Sequence, residues 1–286
     1  MTSILLRLTR PLTKCVKYKS CLGIFGNQGR YLRLAMQNYT TRCIDLPVCK
    51  TRLALPMDYN RIMTFMCDAF FKDDPVMVNI GLHQQEPAPS LLKMMYDEIR
   101  EGMTIIAEGE DNCIVGAAVN AGSCPWDPDK LVELARCCEC GLARDVIEFE
   151  AYVSRKPNLW ERYCVLKLFE CSFIAVGADF RNQGIARKLV LDSWYLARDC
   201  GYRLFRVDCS NRYVSRIAEN FGWKRVCTIP FDQYIKDGKL VFKCIKEPHT
   251  EVEVYIDEVT FCKDYCPPYN KCCEITSAPK IREEKT

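Results

Sequence analysis

Residues 173–186 read Phe-Ile-Ala-Val-Gly-Ala-Asp-Phe-Arg-Asn-Gln-Gly-Ile-Ala, and they decide how the chain folds. An apolar strand from Phe173 to Val176 enters a short turn that carries Arg181, Gly184 and Ala186. A helical pattern then runs to Cys200, with Gly201 placed to end it. A helix that opens straight after a strand and a small-residue turn presents unpaired backbone N–H groups at its positive end. Those groups form a cradle for a diphosphate. Gly184 lets the backbone come close to the anion, Ala186 keeps bulk out of the first turn, and Arg181 supplies a charge-assisted hydrogen bond at the rim.

The pattern continues downstream. Tyr202 to Cys209 alternates like a β-strand, and Ser210-Asn211 open a second helix over Arg212 to Asn220 that ends at Phe221-Gly222-Trp223. Arg181-x-x-Gly184-x-Ala186 resembles the coenzyme A pyrophosphate signature of the GNAT superfamily of N-acetyltransferases. Asn211 followed by a helix and Gly222-Trp223 resembles that superfamily's second motif. Phe70-Phe71-Lys72-Asp73-Asp74-Pro75 is similar to the Phe-Phe-Lys-Asp-Glu-Pro signature of insect-type arylalkylamine N-acetyltransferases. Val241-Phe242-Lys243, Pro248-His249 and Val252-Glu253-Val254 resemble that subfamily's last strands. The likeness runs in one order from about residue 46 to about residue 260.

The resemblance implies an α/β (α+β) GNAT fold: a mixed, mostly antiparallel sheet flanked by helices, with two adjacent strands splayed to receive the pantetheine arm. It implies acetyl-CoA as co-substrate, no metal, and a small primary amine, an arylalkylamine by subfamily, as acceptor. Another acyl donor, an amino acid or polyamine acceptor, or a non-catalytic coenzyme A-binding protein are the competing readings. Coenzyme contacts are expected from Ile174, Ala175, Val176, Arg181, Asn182, Gln183, Gly184, Ile185, Ala186 and Asn211, with a backbone N–H near Val176 polarising the thioester carbonyl. Phe70, Phe71, Met77 and Tyr152 are expected to line the amine pocket, or else to be ordinary core, with Trp160 nearby.

Acetyl transfer needs a base, because an alkylammonium titrates near pKa ~10 and is almost wholly protonated at neutrality. Asp74 stands where the subfamily carries a glutamate that acts through water; it is one methylene shorter, so the role needs a further bridge. The alternative for Asp74 is a helix-ending surface acid, with Pro75 stopping the preceding helix. Ser210 matches a subfamily serine implicated in proton handling, although capping the next helix would use the same hydroxyl. Val214 and Ala218 replace a second serine and a customary tyrosine acid, leaving solvent or Tyr213 to protonate the thiolate. Glu170 and Asp208 are fallback bases, while His83 and His249, the chain's two histidines, are expected in other roles. Cys209 is expected to be packed in its strand.

The 286 residues carry a net charge of +3, unevenly spread. Residues 1–44 hold eight of the 40 basic residues and no acid, which leaves 32 basic against 37 acidic residues, or −5, for the rest. A mildly acidic body suits a cationic amine better than nucleic acid. The basic extension reads either as a mitochondrial presequence or as a disordered arm. The expected location is therefore cytoplasmic, with the mitochondrial matrix as the alternative. There is no 18-residue uncharged apolar stretch, so no membrane span is expected. Residues 45–260 read as one domain and 261–286 as a disordered, cysteine-containing tail; a monomer is the expected state. Among the 20 cysteines, Cys137-Cys138-Glu139-Cys140 and the group at Cys262, Cys266, Cys272 and Cys273 lack zinc-site spacing and read as reduced thiols.

Overall fold

The computed structural model describes residues 49–259. The basic extension, the tail and the C-terminal cysteines lie outside them. Element order is β1 (Lys50–Leu53), α1 (Tyr59–Ala69), α2 (Pro75–Ile80), α3 (Pro89–Ile99), β2 (Ile105–Glu108), β3 (Ile114–Ser123), α4 (Asp127–Arg136), α5 (Gly141–Arg155), α6 (Leu159–Arg162) and β4 (Leu168–Val176). There follow α7 (Ile185–Asp199), β5 (Leu204–Cys209), α8 (Arg212–Asn220), β6 (Lys224–Pro230), the two-residue strands β7 (Ile235–Lys236) and β8 (Lys239–Leu240), and β9 (Glu251–Glu258).

Seven strands form one sheet in the order β1-β2-β3-β4-β5-β9-β6. Every pair in it is antiparallel except β4 with β5. That parallel pair is the strand–helix–strand unit the opening stretch implies, because the connection from β4 to β5 passes through α7.

Helices cover both faces. On one, α1, α2, α3 and α5 bury Ile62, Met66, Leu91, Met95, Val146 and Phe149 against the sheet. On the other, α7 and α8 bury Ile185, Leu189, Trp194 and Phe221 against Phe169, Phe205 and Val207. Each such side chain contributes roughly 1.5–3 kcal/mol on burial, so neither layer is dispensable. Gly116 of β3 sets how closely α7 lies on the sheet. A Cβ there would meet Ile185 Cγ2 and Leu189 Cδ1 at 3.1 Å.

Strand β4 changes partner midway. It pairs with β3 to its end, Gly116 facing Val176, yet pairs with β5 only at Phe169, Glu170 and Cys171. The register with β3 moves from Asn120–Cys171 to Val119–Phe173, so Ser172 is an extra residue, a bulge that bends the strand. From Ser172 onward β4 leaves β5, and a gap opens between their C-terminal ends.

Two expectations about elements are corrected. The helix after Pro56 stops at Ala69, and Pro75 begins α2 rather than stopping α1, since its missing N–H is no loss in a first turn. Val241-Phe242-Lys243 is not a strand. Phe242 is instead an anchor with no exposed surface, 4.7 Å from the rings of both Phe149 and Phe231. Strand β9 pairs with β5 and β6, not with residues 241–243. The aromatic pocket that Phe242 fills overrides the strand that the resemblance implied for Val241-Phe242-Lys243.

Candidate active site

The gap between β4 and β5 continues into a cavity of about 640 Å³. Its mouth is the turn before α7. Gly184 is the N-cap there at φ +78°, and Asn182 beside it sits at +62°, two left-handed residues that swing the chain into the helix. A Cβ on Gly184 would meet no protein atom within 4 Å, so conformation rather than packing calls for glycine. The first-turn amides of α7, those of Ile185 and Ala186 among them, have no carbonyl one turn back within the helix. Arg181 lies at this rim. Its Nε donates to Val176 O at 3.2 Å and its Nη2 to Asp73 Oδ2 at 2.5 Å.

Along the exposed edge of β4 the backbone supplies further donors. The Gly177 N–H bonds Val115 O on β3 at 2.9 Å, so by strand alternation the N–H groups of Val176 and Ile174 point the other way, into the gap.

Deeper in, two residues separated by 136 positions meet. Ser210 Oγ donates to Asp74 Oδ2 at 2.7 Å. Asp74 is the N-cap of α2, and its Oδ1 accepts from the Val76 N–H at 2.9 Å and the Met77 N–H at 3.3 Å. It is thus not a helix-ending surface acid. Burial pushes its carboxyl above the usual carboxylate range, opposed by the serine hydroxyl and the two amides. Ser210 is spared from capping because Asn211 takes that task, its Oδ1 accepting from the Tyr213 N–H at 2.8 Å.

The cavity floor is acidic. Glu150 of α5 and Asp208 of β5 line it together with Asp74. Burial, then the neighbouring charges of Asp208, Asp74 and Glu170, push Glu150 up to about 8. Asp208 is held by Arg206, which has no exposed surface: Nε donates to Oδ1 at 2.8 Å and Nη2 to Oδ2 at 2.5 Å. The same guanidinium reaches Val153 O at 3.2 Å and lies 3.7 Å from Glu170, whose carboxyl is itself pushed up by burial. Glu98 of α3, bonded to Ser172, is held well above the usual range by burial, and its Oε2 is buried without a hydrogen-bond partner.

His249 lines the cavity with its Nδ1 accepting from the Arg212 N–H at 3.1 Å. In the neutral ring the proton is therefore on Nε2, which makes this side chain a donor rather than a base, and burial lowers its pKa further. Cys209 is 1% exposed and burial raises its thiol well above the ordinary value, so it is no nucleophile.

Of the residues singled out in the sequence, Phe70, Met77, Asp74, Ile174, Ala175, Val176, Arg181, Asn182, Gly184, Ile185, Ala186, Ser210 and Asn211 all line this one cavity. Phe71, Tyr152 and Gln183 do not. Phe71 packs edge-on against Phe70, Tyr152 accepts from Lys156 and faces Tyr234, and the Gln183 amide reaches back to Asp179 O at 3.5 Å. Trp160 bonds Ser123 O away from the cavity. Sequence reasoning misses Glu150, Glu98 and Arg206; an arginine two residues before Asp208 in the strand Leu204 to Cys209 is the one available signal. Among the described residues no group of His, Cys, Asp and Glu is arranged to hold a metal, and no helix is long and apolar enough to cross a membrane.

No protein-family model matches the sequence. Solved structures do resemble this one. A mosquito arylalkylamine N-acetyltransferase-like 5b superposes with a TM-score of 0.69 at 16% identity, covering 73% of this chain and 99% of its own. Arylalkylamine N-acetyltransferase 2 from Aedes aegypti gives 0.69 at 22% identity, over 74% and 99% of the two chains. The Drosophila melanogaster polyamine N-acetyltransferase, which forms N-acetylagmatine, gives 0.67 at 20%, over 73% and 99%. The fold is that of the GNAT N-acetyltransferases.

Proposed function

We propose that the protein is an acetyl-CoA-dependent N-acetyltransferase that acylates a small primary amine by direct transfer. The observation that carries this reading is one continuous cavity with opposite electrical ends. Its mouth holds the α7 N-terminus with Arg181 and Arg187, and its interior holds Asp74, Glu150 and Asp208. A diphosphate belongs at the first end and an ammonium at the second. The pantetheine arm would lie in the gap along β4, with the Ile174 and Val176 amides directed at the thioester oxygen.

The bound ammonium first gives one proton to Ser210 Oγ while the serine proton moves to Asp74, so the serine supplies the reach that an aspartate lacks against a glutamate. The freed amine nitrogen then bonds the carbonyl carbon, and the carbon–sulfur bond breaks with its electron pair leaving on sulfur. The second proton lost by the nitrogen passes through water to the thiolate, giving the amide and the free coenzyme A thiol. Binding energy from the mouth orients the thioester and adds to the effect of the base.

A thiol-release assay with acetyl-CoA and a panel of primary amines tests the reading. Turnover with at least one amine is expected; coenzyme binding with no turnover for any amine would make this a coenzyme A-binding protein instead. Gly184→Glu is expected to weaken acetyl-CoA binding by about 100-fold or more. It sets a carboxylate against the diphosphate and adds about 1 kcal/mol of left-handed strain. Unchanged affinity by calorimetry in this variant would show that the diphosphate lies elsewhere.

A further inference from the structure

Glu150 has no part in the transfer step above, yet it stands in the same cavity. Its carboxylate makes no hydrogen bond and no ion pair among the described residues. The charged groups that act on it come from several elements: Asp208 and Arg206 of β5, Asp74 at the head of α2 and Glu170 of β4. Glu98 of α3 belongs to the same cluster and has its own buried, unpartnered oxygen. Among the described residues the cation in this cluster is Arg206, already committed to Asp208 in a two-point contact, with Val153 O and the carbonyl and hydroxyl oxygens of Ser154 taking its other donors. The cluster therefore holds more carboxyls than cations, with Glu150 left unpartnered inside a cavity roomy enough for a ligand.

Resting on the proposed amine acetylation, we infer that this interior binds a second, non-reacting cation of the acceptor. Glu150 is its counter-charge, and the preferred substrates are aliphatic diamines or aminoguanidines. An uncharged aryl ring in that place would leave Glu150 unpaired in a dry environment, whereas an ammonium or guanidinium gives it a partner. The walls between the two ends, Phe70, Met77, Met94 and Phe173, suit the methylene chain that joins two such charges.

The elevated Glu150 value provides a signature that turnover does not. At pH 7.5 the empty site holds a proton on Glu150, and a bound cation draws the carboxyl down, so binding expels that proton. Calorimetric titration of the full chain with 1,4-diaminobutane, butylamine and 2-phenylethylamine, in buffers of different ionisation enthalpy, reads this directly. The diamine is expected to bind at least about tenfold more tightly than either monoamine, with release of most of one proton. Glu150→Gln should remove both the diamine preference and the proton release.

The variant also reports its own folding. A carboxyl whose folded value is raised to about 8 costs stability as pH rises from the unfolded carboxylate value through 8. Glu150→Gln should therefore melt higher than the parent at pH 8.5 and about equally at pH 4.5. Equal affinity for diamine and monoamines, or a preference that survives Glu150→Gln, overturns the inference. Turnover of monoamines with no dication preference would sink it and leave the acetyltransferase reading standing; proton-linked diamine binding with no turnover would do the reverse.

Discussion

Asp74→Asn is expected to lower kcat by about 10²–10⁴, the usual contribution of a general base, with the dissociation constant for acetyl-CoA unchanged. Asparagine is the informative replacement because Asp74 also caps α2 through the Val76 and Met77 amides. Asparagine caps as well as aspartate does, whereas alanine would add about 0.5–2 kcal/mol of lost helix stability and confuse the result. The parent's kcat/KM should fall as pH drops through the Asp74 value, which burial holds above the ordinary carboxylate range. That acid limb should be missing in Asp74→Asn. Because Ser210 hands its proton to Asp74 Oδ2, Ser210→Ala in the Asp74→Asn background should add little. Full kcat and an unaltered pH profile in the Asp74→Asn variant would rule out the pair as base.

The second large effect concerns the fork of the sheet. Arg206→Met is expected to cost about 3–5 kcal/mol in unfolding free energy at pH 7, because it strands Asp208 and Glu170 without their counter-charge in a buried layer. Denaturant unfolding measures the loss. Adding Asp208→Asn should recover part of it, since one of the two orphaned charges is then gone. Without the arginine, the Glu170 carboxyl, already pushed up by burial, would hold its proton to higher pH in the folded state than in the unfolded one. The deficit should then shrink as pH is lowered from 7 toward 5. A parent-like midpoint in Arg206→Met would mean that the fork is held by packing alone, and that Asp208 reaches solvent through the cavity.

Much of the scaffold is legible because its signals are local. The turn at Arg181–Ala186 and the helix Arg212–Asn220 with its Asn211 cap each depend on a few adjacent residues. The structure forms both at nearly those bounds. The errors come where distant packing decides. Val241-Phe242-Lys243 resembles a last strand of the subfamily, but the pocket between Phe149 and Phe231 claims Phe242. Tyr152 reads as part of an aromatic pocket, yet its helix turns it toward Tyr234, while Glu150, two residues earlier, faces the cavity.

The turn at Arg181–Ala186 and the helix that follows it are written in the chain itself, since backbone preferences of glycine, asparagine and proline act within a few residues whatever surrounds them. Tertiary structure alone decided the chemistry inside. One bulged residue, Ser172, parts β4 from β5; a capping aspartate meets a serine 136 positions away; and three carboxyls, those of Asp208, Glu170 and Glu150, crowd around one arginine. Burial and proximity set those properties, and both depend on which distant segments the folded sheet brings face to face.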